Sequence, residues 1–200
     1  MSITVNSRTA EHPIDPLFLE RWSPRAFTGE EIAESDLLTM LEAGRWAASS
    51  YNSQPWRFLY ARRGTAHWEK FLGLLNEFNR SWAKDASALV VLVSNSVMRP
   101  PGAEKDIPSH SHSMDAGNAI AQVMLQATRM GWYAHGMVGF DMDRAFAELN
   151  VPSGYRVEAA YAIGRKADKS KLPEGLQARE TPSPRKPLAE IAFEGGFRAE

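Results

Sequence analysis

The sequence predicts an α+β fold, with helices packed around a mostly antiparallel or mixed sheet. Three observations carry that expectation. Ala88–Ser94, ALVVLVS, is apolar throughout, as expected of a strand covered on both faces. From about Ser113 to Met130 a helix carries Asn118, Gln122, Gln126 and Arg129 in one narrow polar stripe, and almost everything else on it is Ala, Ile, Val, Met or Leu. Arg57–Arg62, Trp132–Met137 and Arg156–Gly164 read as further strands.

The remaining elements follow in chain order. Residues 1–16 read as an irregular arm, because Pro13 and Pro16 block regular structure. A helix is expected from Ser35 or Asp36, either of which is a good cap, with Leu37, Leu38, Leu41, Gly44 and Ala48 at helical spacing. A second helix is expected over about 65–79, with Trp68, Leu72, Leu75 and Phe78 on one face. The stretch Asn95–His112 reads as a polar loop. The helix at 113–130, wet along one thin stripe, belongs at the centre of the molecule or against a second subunit, and Gly131 is placed to end it as a C′ glycine. The extension over 166–200, with Pro173, Pro182, Pro184 and Pro187, is either disordered or an arm laid over a partner, and the arm is preferred.

Composition narrows the function. A chain of 200 residues with 44% hydrophobic and 24% charged residues is an ordinary globular protein, expected as one domain over 1–200. The net charge of −1 argues against nucleic acid as the main partner. With no cysteine, disulfides, thiolate metal sites and Cys nucleophiles are excluded, and redox chemistry requires a borrowed cofactor. No apolar run suits a signal peptide or a membrane span, so a cytoplasmic location is expected.

Two stretches carry candidate chemistry. Arg21-Trp22-Ser23-Pro24-Arg25 places two guanidinium groups and a hydroxyl in five residues, and extended backbone puts Arg21, Ser23 and Arg25 on one face. The set suits a phosphate; the alternative is a solvated basic patch. Ala48–Trp56, ASSYNSQPW, is rich in side-chain donors and acceptors able to read the polar edge of a heterocycle, or else forms a helix-capping turn. His110 and His112 lack a carboxylate at helical spacing and read as an exposed loop, with no metal expected. Asp115 reads as a dipole and cap residue at the start of its helix. Gly131, Gly136 and Gly139 do not form a dinucleotide-binding pattern.

Taken together, RWSPRAF and EAGRWAASSYNSQPWRF resemble the FMN-dependent nitroreductase family. The similarity runs on through Asn79, DASALVVLVS, DAGNAIAQVMLQATRMG, HGMVGFD, YAIGR and SPRKPL, covering about residues 14–190. The resemblance implies a nitroreductase-like fold forming an intimate homodimer with a carboxy-terminal arm and two flavins at the interface. It implies FMN as cofactor, and hydride passed from NAD(P)H through flavin N5 to a small acceptor such as a nitroaromatic or quinone. By similarity Arg21, Trp22 and Ser23 belong at the phosphate and ribityl chain. Arg25 belongs by the pyrimidine edge as the catalytic residue, stabilising the charge of the reduced ring. Ser49, Ser50, Asn52 and Gln54 would reach the neighbouring subunit's flavin, Asn79 the isoalloxazine rim, Met137-Val138-Gly139 the region of N5, and Arg185 the phosphate. Enal or semialdehyde reduction, dehalogenation, flavin breakdown and non-catalytic flavin carriage are alternatives on the same scaffold. The sequence departs from the family pattern at two positions. Ser183 stands where a second basic residue is common in the tail, with Lys186 as a substitute, and Trp82 stands where several relatives are basic and is expected to narrow the pocket.

Overall fold

The computed structural model describes residues 3–197. The amino-terminal segment is not irregular: Ile3–Val5 (β1) and Arg8–Ala10 (β2) form a hairpin. Its two turn residues, Asn6 and Ser7, have φ of 53° and 64°, the pattern of a type I′ turn that matches strand twist. A short helix, Leu17–Glu20 (α1), packs against both strands.

The next helix, Glu34–Arg45 (α2), starts at or just before the expected residues, but its N-cap is Ala33 and no side chain caps it. It buries Leu37, Met40, Leu41 and Gly44, while Leu38 faces outward. After Trp56–Arg62 (β3), the single helix expected over 65–79 is two, Trp68–Leu74 (α3) and Glu77–Ala83 (α4). Asn76 causes the break: its side chain accepts from the Asn79 N–H at 2.8 Å, so it caps a new helix instead of continuing the old one. Phe78 is consequently exposed rather than aligned with Trp68 and Leu72.

Ala88–Asn95 (β4) is followed by a small ribbon, Val97–Met98 (β5) with Ile107–Pro108 (β6), inside the expected loop. His112–Arg129 (α5) then leads through Gly131, φ +78°, into Tyr133–Met137 (β7), as the sequence predicts. Met142–Glu148 (α6), Tyr155–Gly164 (β8) and a short Glu174–Gln177 helix (α7) complete the elements.

The central sheet has the order β3-β4-β8-β7 with every pair antiparallel. Alternation along β4 divides the core. Leu89, Val91 and Val93 face one cluster with Trp68, Phe71, Trp82 and Phe140, whereas Ala88, Val90 and Leu92 face α2 and α5. The apolar reading of β4 is therefore correct: helices cover it on both faces.

The polar stripe expected on α5 does not mark its whole outer face. Met114 (66% exposed), Gly117, Asn118 and Ala121 are open, so that face is mostly apolar, with Asn118 as its polar member. The tail after β8 runs back along its own chain. The Leu188 N–H donates to Glu11 at 3.0 Å, beside the amino-terminal hairpin. No helix among the described residues is long and apolar enough to cross a membrane.

Candidate active site

The Arg21–Arg25 segment lies over the Tyr133 and His135 side chains of β7. Two contacts fix it. The Pro24 carbonyl accepts from His135 Nδ1 at 3.1 Å, and one buried oxygen of Glu180 accepts the N–H groups of both Arg25 and Ala26, at 2.7 and 2.8 Å. Beyond it the chain pairs with the extension of β8, where Thr28 N–H meets Arg165 O and Ala167 N–H meets Ala26 O.

Arg21 and Ser23 lie on one side, with Arg21 Nη1 donating to Ser23 Oγ at 3.4 Å. Trp22 points the other way, buried against the edge of Tyr133 and under Lys166. Only its main chain therefore lies with the two polar neighbours. Arg185 approaches from the tail and Arg8 from β2. Arg8 donates from Nη1 to Arg21 O at 2.8 Å and Leu19 O at 3.1 Å, and from Nε to Ser183 O at 3.0 Å. Burial holds Arg21 below the ordinary guanidinium pKa, and Arg185 lowers it further. For Arg8 the causes are burial, then Arg185, then Arg21. Among the described residues no ion pair joins Arg8, Arg21 or Arg185 to a carboxylate. A group of cations left without a counter-charge is the donor set a phosphate ester requires.

Arg25 stands apart from this group. Burial lowers its pKa, Arg179 lowers it further and Glu180 opposes both; its Nε is buried without a hydrogen-bond partner. A buried guanidinium donor without a partner is a costly feature, which marks Arg25 as a residue with more than a packing role.

His135, the first residue of HGMVGFD and assigned no role from the sequence, lies under this segment with its ring 4.7 Å from Trp82. A carbonyl can only accept, so Nδ1 carries the proton toward Pro24. Burial and the adjacent Arg25 push its pKa down to about 4, leaving a neutral imidazole. Trp82 does not narrow a pocket. It is 1% exposed, packed on Phe27 and His135 as part of the core.

At the end of β7 two predicted features meet. Asn79, buried on α4, donates from Nδ2 to the Gly139 carbonyl at 2.9 Å, and the Asn76 N–H reaches the same carbonyl at 3.2 Å. A Cβ on Gly139 would lie 2.5 Å from Asn76 Nδ2 and 2.6 Å from Asn79 Nδ2, so any larger residue would displace the two amides, one of which holds the Gly139 carbonyl. The Met137–Gly139 turn is thus held rigidly, Met137 buried and Val138 72% exposed.

The second polar stretch is elsewhere. Ser49–Gln54 leads into β3, at the opposite edge of the sheet from β7, about 14 Å away by strand spacing. Asp115 ties it down, its Oδ2 accepting from Ser50 N–H at 3.2 Å and from Ser111 Oγ at 2.9 Å. Asp115 is therefore a tether for this loop more than a dipole residue. Ser49 Oγ accepts the Gln54 N–H at 3.0 Å, and Gln54 Nε2 donates to Asn52 O at 3.0 Å, so Gln54 closes the loop on itself. Tyr51, Asn52 and Gln54 have φ of 51°, 53° and 48°, strained values for side-chain-bearing residues, of the kind that gathers at functional loops.

His112 pairs with buried Ser94 Oγ at 2.7 Å, and Ser94 reaches Glu158 at 2.5 Å, while His110 is exposed. Lys186 lies near Glu190, at 4.0 Å, and the cation on which both Arg185 and Arg21 act electrostatically is Arg8.

Known proteins resemble this chain in sequence and fold. The nitroreductase family model matches residues 19–79 and 66–165. An uncharacterized 15.4 kDa protein of Mycolicibacterium smegmatis is 35% identical over 148 residues, 70% of this chain and 95% of that protein. A crystal structure of an oxidoreductase containing FMN is 47% identical with a TM-score of 0.95, covering 99% of this chain and 100% of the other. A putative nitroreductase from Desulfovibrio desulfuricans, solved in complex with FMN, has a TM-score of 0.69 over 93% of this chain and 100% of its own, but at 24% identity it speaks to the fold alone. On the span of the family match and the depth of these likenesses, the chain belongs to the nitroreductase family.

Proposed function

We propose that this protein is an FMN-dependent oxidoreductase that acts as a homodimer, taking electrons from NAD(P)H and passing them to a small acceptor such as a nitroaromatic or quinone. The observation that carries this reading is the arginine group around Arg21 and Ser23, which lacks a carboxylate partner among the described residues. A terminal phosphate supplies what the group lacks. The 47% identical relative that contains FMN supports the same cofactor.

When bound, FMN supplies the two-electron chemistry that no side chain of a cysteine-free protein offers. The chain's own contribution is placement and charge. Arg21, Ser23 and Arg185 hold the phosphate, with the Trp22 main chain between the first two. Arg25, with its free Nε, stabilises negative charge at the pyrimidine edge. Asn79 and the Met137-Val138-Gly139 turn form a rigid wall against the ring, and Ser49, Ser50, Asn52 and Gln54 complete the site from the partner subunit. The dimer is supported by two features. The halves of the site sit at opposite edges of one sheet, and the open face of α5 around Met114, Gly117 and Ala121 is apolar enough to be covered by a second copy.

Redox and binding titrations of two variants test the reading. Arg25→Ala should lower the flavin midpoint potential by about 30–65 mV, the equivalent of one charge-assisted hydrogen bond to the reduced form. Arg21→Ala should instead weaken FMN binding and leave the potential nearly unchanged, because phosphate charge is the same in both redox states. A purified protein that binds no FMN, or an Arg25→Ala variant with an unchanged potential, would remove the corresponding part of the proposal.

A further inference from the structure

Arg8 takes no part in the motifs that identify the site, yet it sits where three separate segments of the chain converge. Its donors reach the main chain at Leu19 and Arg21, just ahead of and within the Arg21–Arg25 segment, and at Ser183, two residues before Arg185. These contacts use Nε and Nη1 and leave Nη2 without a hydrogen bond among the described residues. The I′ turn at Asn6-Ser7 fixes Arg8 as the first residue of β2, opposite Val5, and the strand's alternation turns Arg8 and Ala10 inward and Thr9 outward.

The charge around Arg8 makes a purely structural clamp an expensive choice. Arg185 and Arg21 both depress its pKa, and Arg185 depresses that of Arg21, so the three guanidinium groups repel one another. A polar uncharged side chain could bridge the same carbonyls without that repulsion. Three converging cations gain from proximity only when an anion lies among them.

We infer that the amino-terminal hairpin is a working part of the phosphate site: Arg8 is its third cation, contributing charge from Nη2 while its other donors set the approach of Arg21 to Arg185. This rests on the phosphate reading given above. It accounts for Ser183, whose side chain offers no positive charge but whose carbonyl receives Arg8. The tail's missing cation is supplied from the other end of the chain. The site so built recognises a dianionic phosphate monoester and discriminates against the same ring system lacking it.

Fluorescence titrations of the full-length protein with FMN and with riboflavin test this directly. For Arg8→Ala the FMN dissociation constant should rise about 10- to 100-fold, the size of one charge-assisted contact, while that for riboflavin stays within about twofold. Arg8→Lys should retain part of the FMN preference, because it keeps the charge but not the planar fork. An equal loss of both flavins, or no loss of either, would show that Arg8 only anchors the hairpin. If Arg8→Ala does not fold, Arg8→Gln, which keeps amide donors for the carbonyls without the charge, gives the same comparison. Arg21→Ala run in parallel separates the two ideas. A selective loss of FMN with Arg21→Ala alone overturns the role of Arg8 and leaves the phosphate reading standing; loss of selectivity in neither variant removes the phosphate reading itself.

Discussion

Replacing Glu180 by Ala should destabilise the protein by about 2–4 kcal/mol, since it orphans the buried N–H of Ala26 and the part-buried N–H of Arg25, each worth roughly 1–3 kcal/mol with the second at the low end. The carboxylate lies in the tail and is buried, and one of its oxygens accepts from both Arg25 and Ala26. It is also the negative charge that opposes Arg179 beside Arg25. Glu180→Gln keeps one acceptor oxygen at the same place and should recover much of the loss. Urea unfolding at fixed protein concentration measures the difference. A Glu180→Ala protein within about 0.5 kcal/mol of the parent, the range of an uninvolved surface substitution, would mean the tail does not anchor this segment.

His135 sets a second expectation, on pH. The native imidazole holds its pKa near 4, against 6.5 for an ordinary histidine, because it is buried and stands beside Arg25, with Arg21 adding to the effect against the opposing carbonyls of Pro24 and Ser23. The unfolded chain takes up a proton as pH falls below 6.5, whereas the native state does not until about pH 4. The stabilisation is therefore complete above pH 6.5 and is lost progressively toward pH 4. A shift of this size amounts to about 3 kcal/mol. In His135→Asn, whose amide still donates to Pro24, that portion of the acid sensitivity should vanish. Comparing the pH dependence of unfolding free energy for the two proteins isolates it from the carboxylates, which titrate in both. Parallel curves between pH 4 and 6.5 would refute the assignment.

How much of this could be read from the chain depends on the range of the forces involved. The apolar run of β4, the helix over 112–129 and its glycine stop are local patterns, and the fold follows them within a residue or two. The Arg21–Arg25 and Ser49–Gln54 stretches are legible because each gathers several polar groups within a few residues of sequence. What escaped notice depends on distant partners. Arg8 and Glu180 are single residues in unremarkable surroundings, His135 heads the HGMVGFD stretch between an alanine and a glycine, and each matters through contacts with segments more than ten residues away. Two other differences are failures of weighting. Asn76 is a strong cap in the middle of an acceptable helical period, and the cap decides. Asn6-Ser7 is a hairpin turn whose signal was masked by the prolines that follow it.

The placement of the two polar stretches at opposite edges of one sheet has a genetic consequence. In a two-fold assembly each flavin position would draw one stretch from each chain, so a lesion in either stretch damages both positions of a pure mutant. Mixing two such mutants, Arg21→Ala with Asn52→Ala, gathers both lesions into one position of a mixed dimer and leaves the other wild type. Random reassortment of equal amounts should then restore about a quarter of the positions. Two individually defective alleles of this gene should therefore complement each other in one cell, although neither encodes an intact protein.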